Sequence, residues 1–86
     1  LKYEYEFSSD AANYLRRLEP RRQSQVFHLL QQLCENPRNP LISGPLSGRW
    51  AGARRSRIGN LRLIYEVNEG RLLVYVVRLG PRGDIY

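Results

Sequence analysis

The sequence predicts an α+β fold in the order β-α-α-β-β-β, a small antiparallel sheet with a helical pair packed on one face. Three observations carry that prediction. A strictly alternating N-terminal segment comes first, two stretches with apolar residues at helical spacing follow, and the C-terminal half is an extended pattern broken twice by glycine-containing turns. At 86 residues the chain has room for one domain, over residues 1–86, with one modest core.

Residues 2–7 place Tyr3, Tyr5 and Phe7 on one face and Lys2, Glu4 and Glu6 on the other, as a half-buried strand requires. Ser8-Ser9-Asp10 then offers side-chain oxygens to the free N–H groups of a helix start, and apolar positions 11, 14, 15 and 18 predict a short helix from Ala11 to Leu18. Pro20 suits the first turn of a second helix, where its missing N–H costs nothing. That helix is expected to run to about Glu35, with Val26, Phe27, Leu30, Leu33 and Cys34 facing inward, and Asn36-Pro37 stops it. Residues 36–48 hold three of the five prolines and two of the seven glycines, which predicts an ordered loop without regular structure. Three strands are expected next, Arg49 to Ile58, Leu61 to Val67 and Arg71 to Leu79. Gly59-Asn60 and Glu69-Gly70 join them as turns that tolerate positive φ. The third strand is apolar on both faces, which places it inside the sheet rather than at an edge.

Charge localises the function. The net charge is +6, and Lys2 is the sole lysine. Residues 1–48 carry six basic and five acidic side chains, whereas residues 49–86 carry eight and three, so the excess lies in the second half. A merely solvated surface would mix lysine with arginine. Arginine is favoured where a planar fork grips phosphate oxygens or stacks on a base. With a two-residue turn at Gly59-Asn60, Ile58 faces Leu61, Arg57 faces Arg62 and Arg55 faces Ile64, so Arg55, Arg57 and Arg62 share one face. Ile58, Leu61, Leu63, Tyr65 and Val67 take the other. Like charges opposed across a hairpin cost stability and serve no folding purpose, which marks a functional surface. The third strand delivers Arg78, and the tail delivers Arg82 and Tyr86.

Other chemistries are poorly supplied. His28 is the only histidine and Cys34 the only cysteine, so no Cys-His metal set and no internal disulfide can form, which suits a reducing compartment. Cys34 reads as a buried helix thiol and His28 as a helix-surface or packed residue. Gly44, Gly48 and Gly52 lack the Gly-Lys-Ser/Thr of a phosphate loop. Trp50 suits either a base platform or a plug at the margin of the core. No apolar run approaches the roughly 20 residues of a membrane span, and no signal-peptide pattern is present, so a cytoplasmic protein is expected. The lack of an initiator methionine suggests that residues precede Leu1.

The layout, the segment Arg55-Ser56-Arg57-Ile58-Gly59-Asn60-Leu61-Arg62-Leu63-Ile64-Tyr65-Glu66-Val67, the Leu46-Ser47-Gly48 lead-in and the Arg82…Tyr86 ending resemble the RelE/ParE superfamily of bacterial and archaeal toxins. The resemblance is strongest to the RelE branch of ribosome-dependent mRNA endonucleases and spans the whole chain. It implies a RelE-like fold and cleavage of mRNA in the ribosomal A site without metal or other cofactor. Carried over by position, Arg62, Arg82 and Tyr86 are the implied catalytic set and Arg55 and Arg57 the implied RNA-binding positions, to which the reading adds Arg54 beside Ala53 and Arg78 from the end of the third strand. A lysine of RelE falls on Ala53. Arg54 replaces it only if a bulge or register shift turns it to the arginine face. Pro81 stands where other branches carry histidine, which removes a histidine general base.

The implied reaction is attack by the RNA 2′-hydroxyl on the adjacent phosphorus. Arg62 would stabilise transition-state charge, Arg82 charge or the leaving group, and Arg55 and Arg57 would hold flanking phosphates. Tyr86 would activate the hydroxyl or stack on a base. Two other readings fit the chain, a ParE-like gyrase inhibitor on the same fold and a non-catalytic basic RNA-binding module. The resemblance also implies two partners, mRNA on the ribosome and a cognate RelB-like antitoxin, acidic and partly disordered, that covers the basic face.

Overall fold

In the computed structural model, which describes residues 2–81, the elements are β1 (Glu4–Phe7), α1 (Ser9–Arg16), α2 (Pro20–Glu35), β2 (Ser43–Pro45), a 3₁₀ turn (Gly48–Trp50), β3 (Arg54–Ile58), β4 (Leu61–Asn68) and β5 (Leu73–Pro81). The strands form one sheet in the order β1-β5-β4-β3-β2. Adjacent strands are antiparallel except that β1 lies parallel to β5. The expected α+β architecture is therefore present, with a fifth strand and one parallel pair that the sequence reading lacked. Strand β5 is interior, between β1 and β4, as its two apolar faces require.

The local reasons are visible at each junction. Ser8 caps α1: its Oγ accepts from the Ala11 N–H at 3.1 Å, so the helix begins at Ser9, two residues before the expected start. Pro20 opens α2, and Gln23 Nε2 donates to the Leu15 carbonyl at 2.8 Å, tying the second helix to the end of the first. The buried stripe of α2 is Val26, Leu29, Leu30, Leu33 and Cys34. Phe27, expected inside, is 37% exposed, because it lies one residue round the helix from that stripe. It packs at the margin against Tyr5 and Phe7 of β1.

The loop expected to be irregular contains β2, whose Ser43, Gly44 and Pro45 pair with Ser56, Arg55 and Arg54. A hydrogen-bonded chain pins it. Arg54 Nε donates to Ser43 Oγ at 2.8 Å, Ser43 and Tyr65 bond through their hydroxyls, and Tyr65 donates to the Pro37 carbonyl at 2.6 Å. Ser56 Oγ donates to the Ile42 carbonyl at 2.6 Å. The strand expected from Arg49 starts only at Arg54, because Gly52, at φ 94°, turns the chain back after the 3₁₀ segment.

The two hairpins differ. Gly59 has φ 59° while Asn60 does not, the type II′ pattern with glycine first. After β4 the loop runs over residues 69–72, and the positive φ, 51°, falls on Leu72 rather than on Gly70.

The main core lies between the helices and one sheet face. Ala11, Leu15, Val26, Leu29, Leu30, Leu33 and Cys34 meet Leu61, Leu63, Tyr65, Val74, Val76 and Leu79. Each large side chain buried there is worth about 1.5–3 kcal/mol. Val74 and Val76 share a face by alternation, yet the next core residue is Leu79. A bulge explains the switch: Tyr65 pairs with Val76 and Ile64 with Arg78, which leaves Val77 as an extra residue on β5. Its carbonyl accepts from Ser8 Oγ at 2.6 Å.

Candidate nucleic-acid interface

The sheet face away from the helices carries the arginines, and cross-strand pairing fixes their arrangement. One row across β2, β3, β4 and β5 reads Gly44, Arg55, Ile64, Arg78. The next reads Arg57, Arg62, Gly80 across β3, β4 and β5. Arg55, Arg57 and Arg62 thus share the open face, in the register that a two-residue turn dictates. The Val77 bulge adds Arg78. Without it, Arg78 would follow Val74 and Val76 toward the helices. Adjacent strands lie about 4.8 Å apart, so four guanidinium-bearing positions fall within two neighbouring rows.

The surroundings keep this positive charge available to a ligand. Among the described residues, no carboxylate lies at ion-pairing distance from Arg55, Arg57 or Arg78; the pairs formed are Arg38 with Glu69 and Arg71 with Glu6. Arg55 lies across Gly44, where a Cβ would sit 3.2 Å from Nη2, so glycine lets the guanidinium rest against the backbone. A depression of about 500 Å³ lined by Pro40, Leu41, Ile42, Ser43, Arg55, Ser56 and Arg57 adjoins the arginines.

A second depression, of about 540 Å³, lies at the opposite end of the sheet among Glu6, Glu66, Glu69, Arg71, Leu73 and Tyr75. Its carboxylates suit no polyanion, and its one cation, Arg71, faces Glu6 at 3.9 Å. The open face is therefore polarised, basic toward the β3–β4 turn and acidic toward the β4–β5 turn.

One sequence expectation needs correction, and another lies outside the described residues. Arg54 does not replace the basic residue missing at position 53. Strand β3 pairs with β4 without a shift, so Arg54 stays on the helix-facing side opposite Tyr65, hydrogen-bonded to Ser43. Ala53 itself is 5% exposed and packed with Ile64 beneath Leu46 and Trp50. A charged side chain there would be buried. Arg82 and Tyr86 lie outside the described residues. Strand β5 ends at Pro81 opposite Leu61, one step from the Gly80–Arg62 pair.

Trp50 is the feature whose place the sequence left open. Its ring covers Ile64 and Ala53 on the open face, with the Arg49 and Arg78 guanidinium carbons 5.6 and 6.0 Å from the ring centroid. Its Nε1 is buried without a hydrogen-bond partner among the described residues. No group of three or more His, Cys, Asp or Glu residues in the described part of the chain is arranged to hold a metal ion. No described helix is long and apolar enough to cross a membrane.

Comparison with known proteins gives the family and agrees with the fold. A family model described as the ParE toxin of the type II toxin–antitoxin system parDE matches residues 5–86. A RelE-like toxin protein of Escherichia coli is 30% identical over 89 residues, covering 100% of this chain and 92% of its own. Toxin RelG of Mycobacterium tuberculosis is 31% identical over 87 residues, covering 100% and 98%. Among solved structures, the RelBE2 toxin–antitoxin complex of Mycobacterium tuberculosis matches with a TM-score of 0.82 at 26% identity, over 95% of this chain and 100% of that one. An archaeal RelE–RelB complex from Pyrococcus horikoshii shares the fold, with a TM-score of 0.81 at 22% identity over 98% and 99% of the two chains.

Proposed function

Since the chain belongs to the ParE toxin family of type II toxin–antitoxin systems, within the RelE/ParE superfamily, we propose that it intoxicates by cutting mRNA. In this reading residues 1–86 are one toxin domain acting in the cytoplasm as a metal-independent endoribonuclease on mRNA in the ribosomal A site. The observation that carries it is the open arginine face, with Arg57 directly opposite Arg62 and with Arg55 and Arg78 in the adjoining row. Like charges opposed in this way cost folding stability, and an anionic ligand such as the RNA backbone offsets that cost.

The chemistry follows from RNA itself. The 2′-oxygen bonds to phosphorus as the bond to the 5′-oxygen breaks, leaving a 2′,3′-cyclic phosphate and a 5′-hydroxyl. The proton leaves the 2′-hydroxyl to a base, and the 5′-oxygen takes one up. Arginine, with a pKa above about 12, stays charged and serves the phosphorane oxygens. Arg62 takes transition-state charge, while Arg55, Arg57 and Arg78 hold flanking phosphates. Arg82, which follows Pro81 directly, serves developing charge or the leaving oxygen, and Tyr86 is the base or positions the nucleotide. Arg54 is left out, since its guanidinium faces the core side of the sheet. The partner that silences the site is an acidic, partly disordered antitoxin, a role consistent with the toxin–antitoxin complexes among the structural relatives.

The test is a translating extract. Purified protein should yield new mRNA 5′-hydroxyl ends only when ribosomes are present, and R62A, R82A and Y86F should each lower the cleavage rate about 10²-fold or more while keeping the fold. A second reading is favoured by the ParE description of the matching family, a gyrase inhibitor without nuclease activity. Inhibited supercoiling by the purified protein, with mRNA left intact, would establish that reading instead.

A further inference from the structure

We propose that Trp50, flanked by Arg49 and Arg78, forms a nucleobase subsite, taking one unpaired base of the RNA beside the phosphates held by Arg55 and Arg57. This rests on the reading of the arginine face as an RNA site. Position is the first argument. Trp50 stands on Ile64, and Ile64 lies between Arg55 and Arg78 in one cross-strand row. The indole is therefore set into the basic face rather than beside it.

The second argument is that packing alone does not call for tryptophan here. The apolar patch to be covered is small, Ala53 and Ile64 with Leu46 at its rim, and a leucine would cover it without a polar atom to desolvate. Instead the indole Nε1 is buried with no partner among the described residues, whereas a core tryptophan ordinarily finds one. The ring also gathers two cations, at 5.6 and 6.0 Å from its centroid, with no described carboxylate pairing to Arg78.

An electron-rich ring with guanidinium groups close by is the chemistry that single-strand binders use. A base stacks on the aromatic face while the cations hold the phosphates on either side, and stacking tolerates any base. The expected preference is accordingly mild and favours purines, whose larger ring system covers more of the indole. The subsite would hold one nucleotide splayed from its neighbours, which orients the adjoining phosphate across the Arg55–Arg57 side of the face.

Trp50 is the sole tryptophan, so its fluorescence reports this site alone. The full chain is titrated with a short unstructured 2′-O-methyl RNA, which lacks the attacking hydroxyl, with the same oligonucleotide made abasic at single positions, and with inorganic polyphosphate. Bound RNA should quench the emission strongly. Polyphosphate, and the oligonucleotide abasic at the stacked position, should bind with the emission little changed. In anisotropy with labelled RNA, W50L should bind about tenfold more weakly and W50F should recover most of the loss. RNA that binds wild type without quenching, and binds W50L equally well, would make Trp50 an apolar plug. The RNA reading of the face would then survive if R55A and R57A weakened binding. Wild type that binds no RNA at low salt would overturn both. Should W50L fail to fold, quenching in the wild type against the abasic series decides alone.

Discussion

Arg57 and Arg62 oppose each other directly across the β3–β4 hairpin, and like charges so placed cost roughly 0.2–1 kcal/mol. Neutralising one of them should therefore separate stability from function. Arg57→Gln is expected to stabilise the chain by about 0.5 kcal/mol while weakening RNA binding and lowering its salt dependence by about 0.7 in log–log slope. Urea unfolding and anisotropy over a range of salt concentrations measure the two effects; a destabilised variant with unchanged RNA affinity would remove the reason for calling this pair functional. Arg54, one residue from Arg55, should behave in the opposite way. Its Nε supports Ser43, which bonds to the fully buried Tyr65. Arg54→Ala should cost about 1 kcal/mol and leave RNA affinity near that of the wild type. Tyr65→Phe should cost about 1–3 kcal/mol, since it leaves the Pro37 carbonyl without its donor. The same urea unfolding ranks all three.

At the scale of elements, period-two alternation across the Gly59-Asn60 turn is sufficient to place Arg55, Arg57 and Arg62 on one face, because a two-residue hairpin fixes register. Arg78 was not legible in that way. Its face depends on the bulge at Val77, and an inserted residue leaves no mark in a strand as uniformly apolar as Leu72 to Val77. Strand β2 was hidden for a different reason. Ser43-Gly44-Pro45 has no strand propensity of its own and becomes a strand because Ser43, Ser56 and Tyr65 tie it down. Trp50 gave only its composition, since its seat over Ile64 requires the turn at Gly52. The β4–β5 loop shows a local choice that tertiary structure overrode: Gly70 supplies the permissive residue, yet the positive φ falls on Leu72, which is 46% exposed. A left-handed non-glycine residue costs roughly 1–2 kcal/mol. Leu72→Gly should consequently raise stability, by something under that amount because glycine loses more entropy on folding. Its backbone carbonyl would continue to accept from Glu4 N–H at 2.9 Å. A lowered melting temperature would show that the Leu72 side chain contributes more than its strain costs.

Across the whole molecule, the polarised sheet face is closed at its acidic end by a clasp that joins three distant segments. Tyr3, just before β1, donates to Glu69 in the β4–β5 loop, and Arg38, after α2, pairs with the same carboxylate. The clasp holds β1, an edge strand whose one sheet neighbour is β5, and the loop leading to β2, the strand at the other edge. The hydrogen bond from Tyr3, helped by Arg38, holds the Glu69 carboxyl below its ordinary value of 4.5. A carboxyl with a lowered folded pKa contributes stability that is complete above the unfolded value and is lost as pH falls through the folded one. The same bond raises the Tyr3 phenol above 10.0, so its contribution is complete below that value and is lost as pH rises through the folded pKa. Stability should therefore form a plateau, with an acid limb below about pH 4.5 assigned to Glu69 and an alkaline limb above about pH 10 assigned to Tyr3. Thermal melts from pH 2 to 11 on wild type, Glu69→Gln and Tyr3→Phe measure this. The glutamine variant should flatten the acid limb, and the phenylalanine variant the alkaline one. Because the arginine face lies at the other end of the sheet, neither substitution should change RNA binding at neutral pH. Melts of Glu69→Gln that run parallel to wild type through the acid range would show that the clasp does not hold the fold, and loss of RNA affinity in either variant would show that the two ends of the sheet are coupled.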